Sequence, residues 1–154
     1  MKTSAGLLIY RRRETIEVLL VHPGGPFWAR RDDHAWSIPK GEYEGDEDPE
    51  TAARREFAEE LGWPAPQGTW IDLGEVRQPS GKLVRAWAAE GDFDLADLVS
   101  NTFELEWPRG SGRTREYPEV DRAGWFDLPT ARRKLHKGQA QFIDAFVSAV
   151  ETGK

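Results

Sequence analysis

The chain has 154 residues, no cysteine and a formal net charge of −6. That length predicts a single domain over residues 1–154, able to bury a core unaided, while the missing cysteines exclude disulfides, thiolate metal sites and a cysteine nucleophile. No apolar run is long enough to cross a membrane, no secretory leader is read at the N-terminus, and the acidic balance speaks against a nucleic-acid polymer as partner; the expected compartment is the cytoplasm.

Ser4 to Tyr10 reads as a buried strand, and Ile16 to Val21 as its hairpin partner across the charged turn Arg11 to Thr15. Pro23, Gly24, Gly25 and Pro26 end the second strand and begin a loop carrying Trp28, Arg30 and Arg31. Ala35 to Ile38 is expected as a short strand before a Pro39-Lys40-Gly41 turn. A helix is predicted from Asp48 to Leu61. Asp48 can cap the free N–H groups, Pro49 suits the first helical position, Gly62 supplies a left-handed end and Pro64 prevents continuation. Asp72 to Arg77 and Leu83 to Glu90 read as strands around the turn Gln78-Pro79-Ser80-Gly81. Thr102 to Trp107 alternates like a further strand, and Trp125-Phe126 follows a loop. Leu128 onward is helical, and Gln139 to Val150 is amphipathic. The order describes a mixed α/β domain.

The charge is not spread evenly. Between Glu42 and Glu60 stand nine acids and two bases, a local net of −7; the rest of the chain has 19 bases and 18 acids. On the predicted helix, Glu56, Glu59 and Glu60 lie at i, i+3 and i+4, within an arc of about 100°. Like charges at that spacing destabilise a helix. Ala53, Phe57 and Leu61 form an adjoining core stripe, so the helix can be anchored by one face and present carboxylates on the next. Such a face is favourable if it holds hard divalent cations, which prefer oxygen ligands. An EF-hand does not fit, since Thr51 and Phe57 stand where its loop needs Gly and Glu. On its own, such a charge run equally fits a solvated acidic face.

The stretch from Gly41 to Trp63, GEYEGDEDPETAARREFAEELGW, resembles the signature box of the Nudix hydrolases, with every fixed position matched. The resemblance implies an α/β/α sandwich with a mixed β-sheet, the box forming loop–helix–loop. It also implies hydrolysis of a nucleoside diphosphate linked to another group, with Mg²⁺ or Mn²⁺ as cofactor. By this resemblance Glu56, Glu59 and Glu60 are metal ligands, and Glu56 is the first candidate for the base. Glu47 and Arg55 support the carboxylates, Gly41 is needed where the backbone turns beside the metals, and the Lys40 carbonyl is a further possible ligand. Relatives add a Glu from a later loop; Glu119, before Trp125-Phe126, is the candidate, with Glu104, Glu106 and Glu116 as competitors.

Substrate clues are softer. Lys40 matches a Pro-Lys-Gly variant found in relatives handling dinucleoside or diphosphoinositol polyphosphates, and can meet a phosphate as a point charge. Arg109, Arg113 and Arg115 lie in RGSGRTR, read as a flexible loop that either clamps phosphates or is simply solvated. Trp28, Trp36, Trp87 and Trp107 include candidate stacking platforms, although core positions are commoner for Trp. His22, His34 and His136 show no ligand spacing. The absent cysteine argues against an isopentenyl diphosphate isomerase, and Pro79, where relatives cleaving ADP-ribose often have a Pro, also reads as turn chemistry. The expected substrate is a nucleoside triphosphate or related nucleoside diphosphate derivative, met as a small molecule by a monomer or homodimer. A non-catalytic nucleotide sensor on the same scaffold is the alternative of another class.

Overall fold

Apolar runs flanked by charge build the centre of a mixed sheet. The computed structural model describes residues 3–100 and 102–153. Strands β1 (Thr3–Arg12) and β2 (Ile16–Pro23) form the expected hairpin, with Tyr10 opposite Val18. β3 (Lys40–Glu42) follows, then helix α1 (Pro49–Leu61). β4 (Ile71–Arg77) and β5 (Leu83–Glu90) pair around a turn closed by the Gly81 N–H donating to the Gln78 carbonyl at 2.8 Å. After a 3-10 turn at Leu95–Asp97 come β6 (Thr102–Glu106), β7 (Thr114–Pro118), β8 (Val120–Asp127), α2 (Leu128–Lys134) and α3 (Ala140–Gly153).

The main sheet runs β4-β5-β1-β2-β8, with β3 also paired to β1; β6 and β7 form a separate two-stranded ribbon. Only β1 and β5 are parallel among the described pairs, which makes the sheet mixed. β1 is apolar without alternation because both of its faces are covered. Leu8 and Tyr10 pack with Val18, Leu20, Phe142, Ile143 and Phe146 beneath α2 and α3. Leu7 and Ile9, on the other face, pack with Leu19, Ala53, Phe57 and Leu61 beneath α1. The result is an α/β/α sandwich. Full burial of a side chain such as Phe57 is worth about 1.5–3 kcal/mol relative to exposure.

Two local expectations are corrected. Ala35 to Ile38 is not a strand: it makes only single bridges, Ser37 to Val21 and Trp36 to Leu135. Lys40 and Gly41, read as part of a turn, instead begin β3, whose register sets Gly6 opposite Lys40, Ala5 opposite Gly41 and Ser4 opposite Glu42. A three-residue strand has no periodicity to read; distant β1 makes it one.

Candidate active site

The helix that carries the carboxylates is capped as its sequence requires. The Asp48 side chain accepts from the Thr51 N–H at 3.0 Å, Pro49 opens the first turn, and Gly62 ends the helix at φ 82°. Ala52, Ala53, Phe57 and Leu61 are buried against the sheet. This fixes the helix rotation, so Glu56 and Glu60 point toward β3 while Glu59 is exposed.

Gly41 meets Glu56 directly. A Cβ at position 41 would lie 1.8 Å from Glu56 Oε1 and 2.1 Å from its Cδ. The glycine was expected for a sharp backbone turn; its φ is not in the left-handed region, and the reason for glycine is instead the space occupied by this carboxylate. Lys40 is placed by the ladder. The Pro39 carbonyl accepts from Leu7 N–H at 3.1 Å and the Tyr43 N–H donates to the Thr3 carbonyl at 3.2 Å. Alternation in an antiparallel pair therefore turns the Lys40 N–H and carbonyl away from β1. That N–H donates to the Glu60 carboxylate.

Arg55 ties the acids together. Its Nε and Nη2 donate to the two Glu47 oxygens at 2.9 and 2.8 Å, a bidentate pair, and its Nη1 donates to Glu56 at 2.8 Å and more weakly to Glu59 at 3.4 Å. Hydrogen bonding to Arg55 holds the Glu47 carboxyl below its usual range. Glu56 moves the other way: burial raises it, Arg55 opposes, and Glu59 and Glu119 push it further up. Burial pushes Glu60 up to about 8, with Lys40 opposing and the charges of Glu119 and Glu56 adding to the rise. Burial, helped by Lys82, lowers the Lys40 ammonium.

Glu119 reaches this group from the link between β7 and β8. The link is pinned on both sides. The Gly24 N–H donates to the Glu119 carbonyl at 3.0 Å, and a Cβ on Gly24 would lie 1.9 Å from the Pro118 carbonyl oxygen. The Val120 N–H donates to Ser100 Oγ at 2.9 Å. The fully buried His22 ring holds Asp121 at 2.9 Å through Nδ1, with the Arg31 carbonyl 2.6 Å from Nε2. Sequence reasoning gave His22 no role; its partners lie 99 and 9 residues away, and no spacing signals them.

Glu60, Lys40 and Glu119 line one end of a cavity of about 410 Å³. Its remaining wall is largely apolar: Pro23 to Trp28, Ile38, Phe103, Leu105 and Val120. Of the four candidate stacking tryptophans only Trp28 lines it; Trp36 and Trp87 are buried in the core and Trp107 is exposed near the end of β6. Phe103 and Leu105 contribute to the wall, and only the alternation of β6 hinted at them. Arg109, Arg113 and Arg115 do not line the cavity. The segment from Arg109 to Arg115, expected as a flexible loop, is the tip of the β6–β7 ribbon and the start of β7, the tip being held by the Glu106 carboxylate accepting from the Gly110 and Gly112 N–H groups at 3.1 and 2.8 Å. Glu104 and Glu116 face each other across this ribbon, and neither Glu104, Glu106 nor Glu116 lines the cavity.

The donor chemistry fits a hard divalent cation: carboxylates and a free peptide carbonyl, with mutual repulsion among Glu56, Glu60 and Glu119 that a cation would relieve. Among the described residues, no three acidic or histidine side chains are already gathered into a finished metal shell. Glu59 and Glu119 are exposed.

The family model of the NUDIX domain matches residues 1–146. The chain belongs to the Nudix family. An RNA pyrophosphohydrolase of Hahella chejuensis is 43% identical over 64 residues, which is 40% of this chain and 39% of that relative, so the chain matches well under half of the relative's length. Among solved structures, an Ap4A hydrolase of C. elegans superimposes with a TM-score of 0.66 at 24% identity, covering 100% of both chains. The NUDIX domain of Shewanella oneidensis NrtR, complexed with ADP ribose, gives 0.63 at 17% identity, covering 96% of this chain and 87% of that one. At those identities the two structures speak for the Nudix fold alone.

Proposed function

We propose that this Nudix domain is a divalent-metal-dependent pyrophosphohydrolase that cleaves a phosphoanhydride bond in a nucleoside triphosphate or related nucleoside diphosphate derivative. The observation that carries the reading is that Lys40, Glu60 and Glu119 line an otherwise largely apolar cavity, with Glu56 near enough for the charges of Glu60 and Glu119 to act on it and on each other. A pyrophosphate fits the charged end and a nucleobase the apolar one. The name of the Hahella relative supports the bond type.

In this reading Glu56, Glu59, Glu60, Glu119 and the Lys40 carbonyl hold the metal, Mg²⁺ or Mn²⁺. When bound, it screens the phosphate oxygens and acidifies a coordinated water. The chain's own groups do the rest. Arg55 orients Glu56 through a 2.8 Å hydrogen bond and is itself fixed by Glu47. Glu56, raised by burial, is the candidate to take the water's proton. The Lys40 ammonium meets substrate phosphate at the cavity end, and Arg109, Arg113 and Arg115 are candidates for phosphate contacts farther out. The apolar wall excludes water from the reacting bond.

Every carboxylate of the box is retained, which favours catalysis over a nucleotide sensor on the same scaffold. Release of phosphate or pyrophosphate from a nucleotide panel, with and without Mg²⁺ and with products identified by mass, tests the proposal. Glu60→Gln should lower turnover at least ~100-fold with the fold intact. Metal-independent turnover, or full activity in that variant, refutes it.

A further inference from the structure

The β6–β7 ribbon sorts its charges by face. Cross-strand partners share a face, and alternate residues share it along each strand. The register pairs Phe103 with Tyr117 and Leu105 with Arg115. Phe103 and Leu105 line the cavity, so Arg115 stands on the cavity face, directly opposite a wall residue. Its Cβ lies about 5 Å from that of Leu105. Arg113 continues the same alternation outward. The opposite face carries Glu104 and Glu116, paired with each other, and Glu106. Two carboxylates directly opposed are destabilising, and exchanging Arg115 with Glu116 would remove that pair at no cost in burial, since both positions are exposed. Ribbon stability therefore does not account for the sorting, whereas a ligand on the cavity face does. Arg115 makes no ion pair or side-chain hydrogen bond among the described residues. It is not among the residues that line the cavity with Lys40, Glu60 and Glu119.

We infer that Arg115 is a specificity residue for a second phosphate, one outside the pyrophosphate bridge, so that the preferred substrate carries phosphate on both the 5′ and the 3′ oxygen of its nucleoside. This rests on the pyrophosphohydrolase reading for the 5′ end. With the 5′ phosphates at the carboxylates and the base against Phe103 and Leu105, a 3′ phosphate leaves the ribose at the cavity rim, where a long guanidinium side chain can reach it. The shared chemistry is the 3′ phosphate. Its source is either a free bisphosphorylated nucleotide, in which it is a monoester, or the first linkage of an oligonucleotide, in which it is a diester.

Calorimetric binding of adenosine 3′,5′-bisphosphate and of AMP separates the subsite from catalysis. The bisphosphate should bind the unmodified protein more tightly than AMP. Arg115→Ala should reduce that preference roughly fivefold, the size of one exposed charge contact, and Arg115→Lys should keep part of it. Glu116→Gln, on the outer face, should leave the preference unchanged. Equal preference in the unmodified and Arg115→Ala proteins overturns the inference, whether or not any substrate is hydrolysed. Hydrolysis of ATP against the 5′-triphosphorylated dinucleotide pppApG, with Mg²⁺, distinguishes the two sources. A higher kcat/KM on pppApG, lost through KM in Arg115→Ala, assigns the diester; an advantage confined to adenosine 3′-phosphate 5′-triphosphate assigns the monoester. An Arg115-independent ratio with both compounds counts against the subsite. Absence of turnover on all three compounds refutes the hydrolase reading and leaves the binding result to decide the subsite.

Discussion

Gly41→Ala separates the site from the fold. The backbone at position 41 is outside the left-handed region, so alanine is conformationally acceptable there. Its methyl group would stand 1.8 Å from Glu56 Oε1, whereas ordinary contact begins near 3.4 Å, so the carboxylate must retreat by about 1.6 Å. Glu56 can do this by rotating, since the obstructing atoms are the end of a flexible side chain. Stability should therefore change by no more than about 1 kcal/mol. Activity should not survive as well. The displaced carboxylate leaves its 2.8 Å contact with Arg55 and the position from which it serves the metal and the water. A misplacement of order 1 Å costs about 100-fold in rate. Thermal melting and Mg²⁺-dependent phosphate release on the same preparation give both numbers. A variant with unchanged melting and full turnover would mean that the Glu56 position does not matter to the chemistry. A variant that fails to fold would mean that Gly41 serves the sheet.

Three further outcomes follow from the charges. Burial pushes the Glu60 carboxyl up to about 8, so its own contribution to stability in EDTA should be fully present below its ordinary value near 4.5 and be lost as the pH rises through 8. Denaturant melts across that window check the sign, and Glu60→Gln should flatten the slope; a rising slope contradicts the assignment. Mg²⁺ should raise the melting temperature at pH 8, and less so in Glu60→Gln; an equal shift in both places the ion elsewhere. Arg55→Ala should lower kcat about 10–100-fold, with Arg55→Lys rescuing little because lysine cannot repeat the bidentate pair to Glu47; full rescue by lysine would reduce Arg55 to a charge.

The helix was legible because its information is local. Asp48, Pro49 and Gly62 mark its ends within one turn, and the spacing of Ala53, Phe57 and Leu61 fixes its rotation, hence the direction of Glu56 and Glu60. The layering of the sandwich came instead with the resemblance of the Gly41 to Trp63 box, since local spacing alone describes only a mixed α/β domain. What escaped is what distant segments make together. β3 is a strand only because β1 is beside it. β7 looked like loop because it is exposed at every position but Tyr117, leaving no apolar face to read. The cavity wall joins the loop from Gly24 to Trp28 with Phe103 and Leu105, about 80 residues apart in the chain, and no local spacing encodes that meeting. The glycine at 41 was marked by the box, but the cause, a carboxylate arriving from α1, belongs to tertiary structure.

The short pairing of β3 with the middle strand has a consequence for how this molecule breathes. Lys40 and Gly41 are registered on Gly6 and Ala5 of β1, the strand that also lies along β5 through Tyr10. A Cβ on Gly6 would come within 2.7 Å of the Lys40 Cβ, so the two strands interlock side to side. A slip of one residue would set Gly41 or Pro39 opposite Gly6 in place of Lys40 and turn the Lys40 side chain to the other face. Local opening therefore has no cheap route through this corner. The Gly41 amide, paired with Ala5 of the central strand, should exchange with solvent more slowly than the amides of the β6–β7 ribbon, which lies outside that sheet. The charged side of the cavity is thus held by the register of the central sheet, while the part of its wall on the ribbon is not.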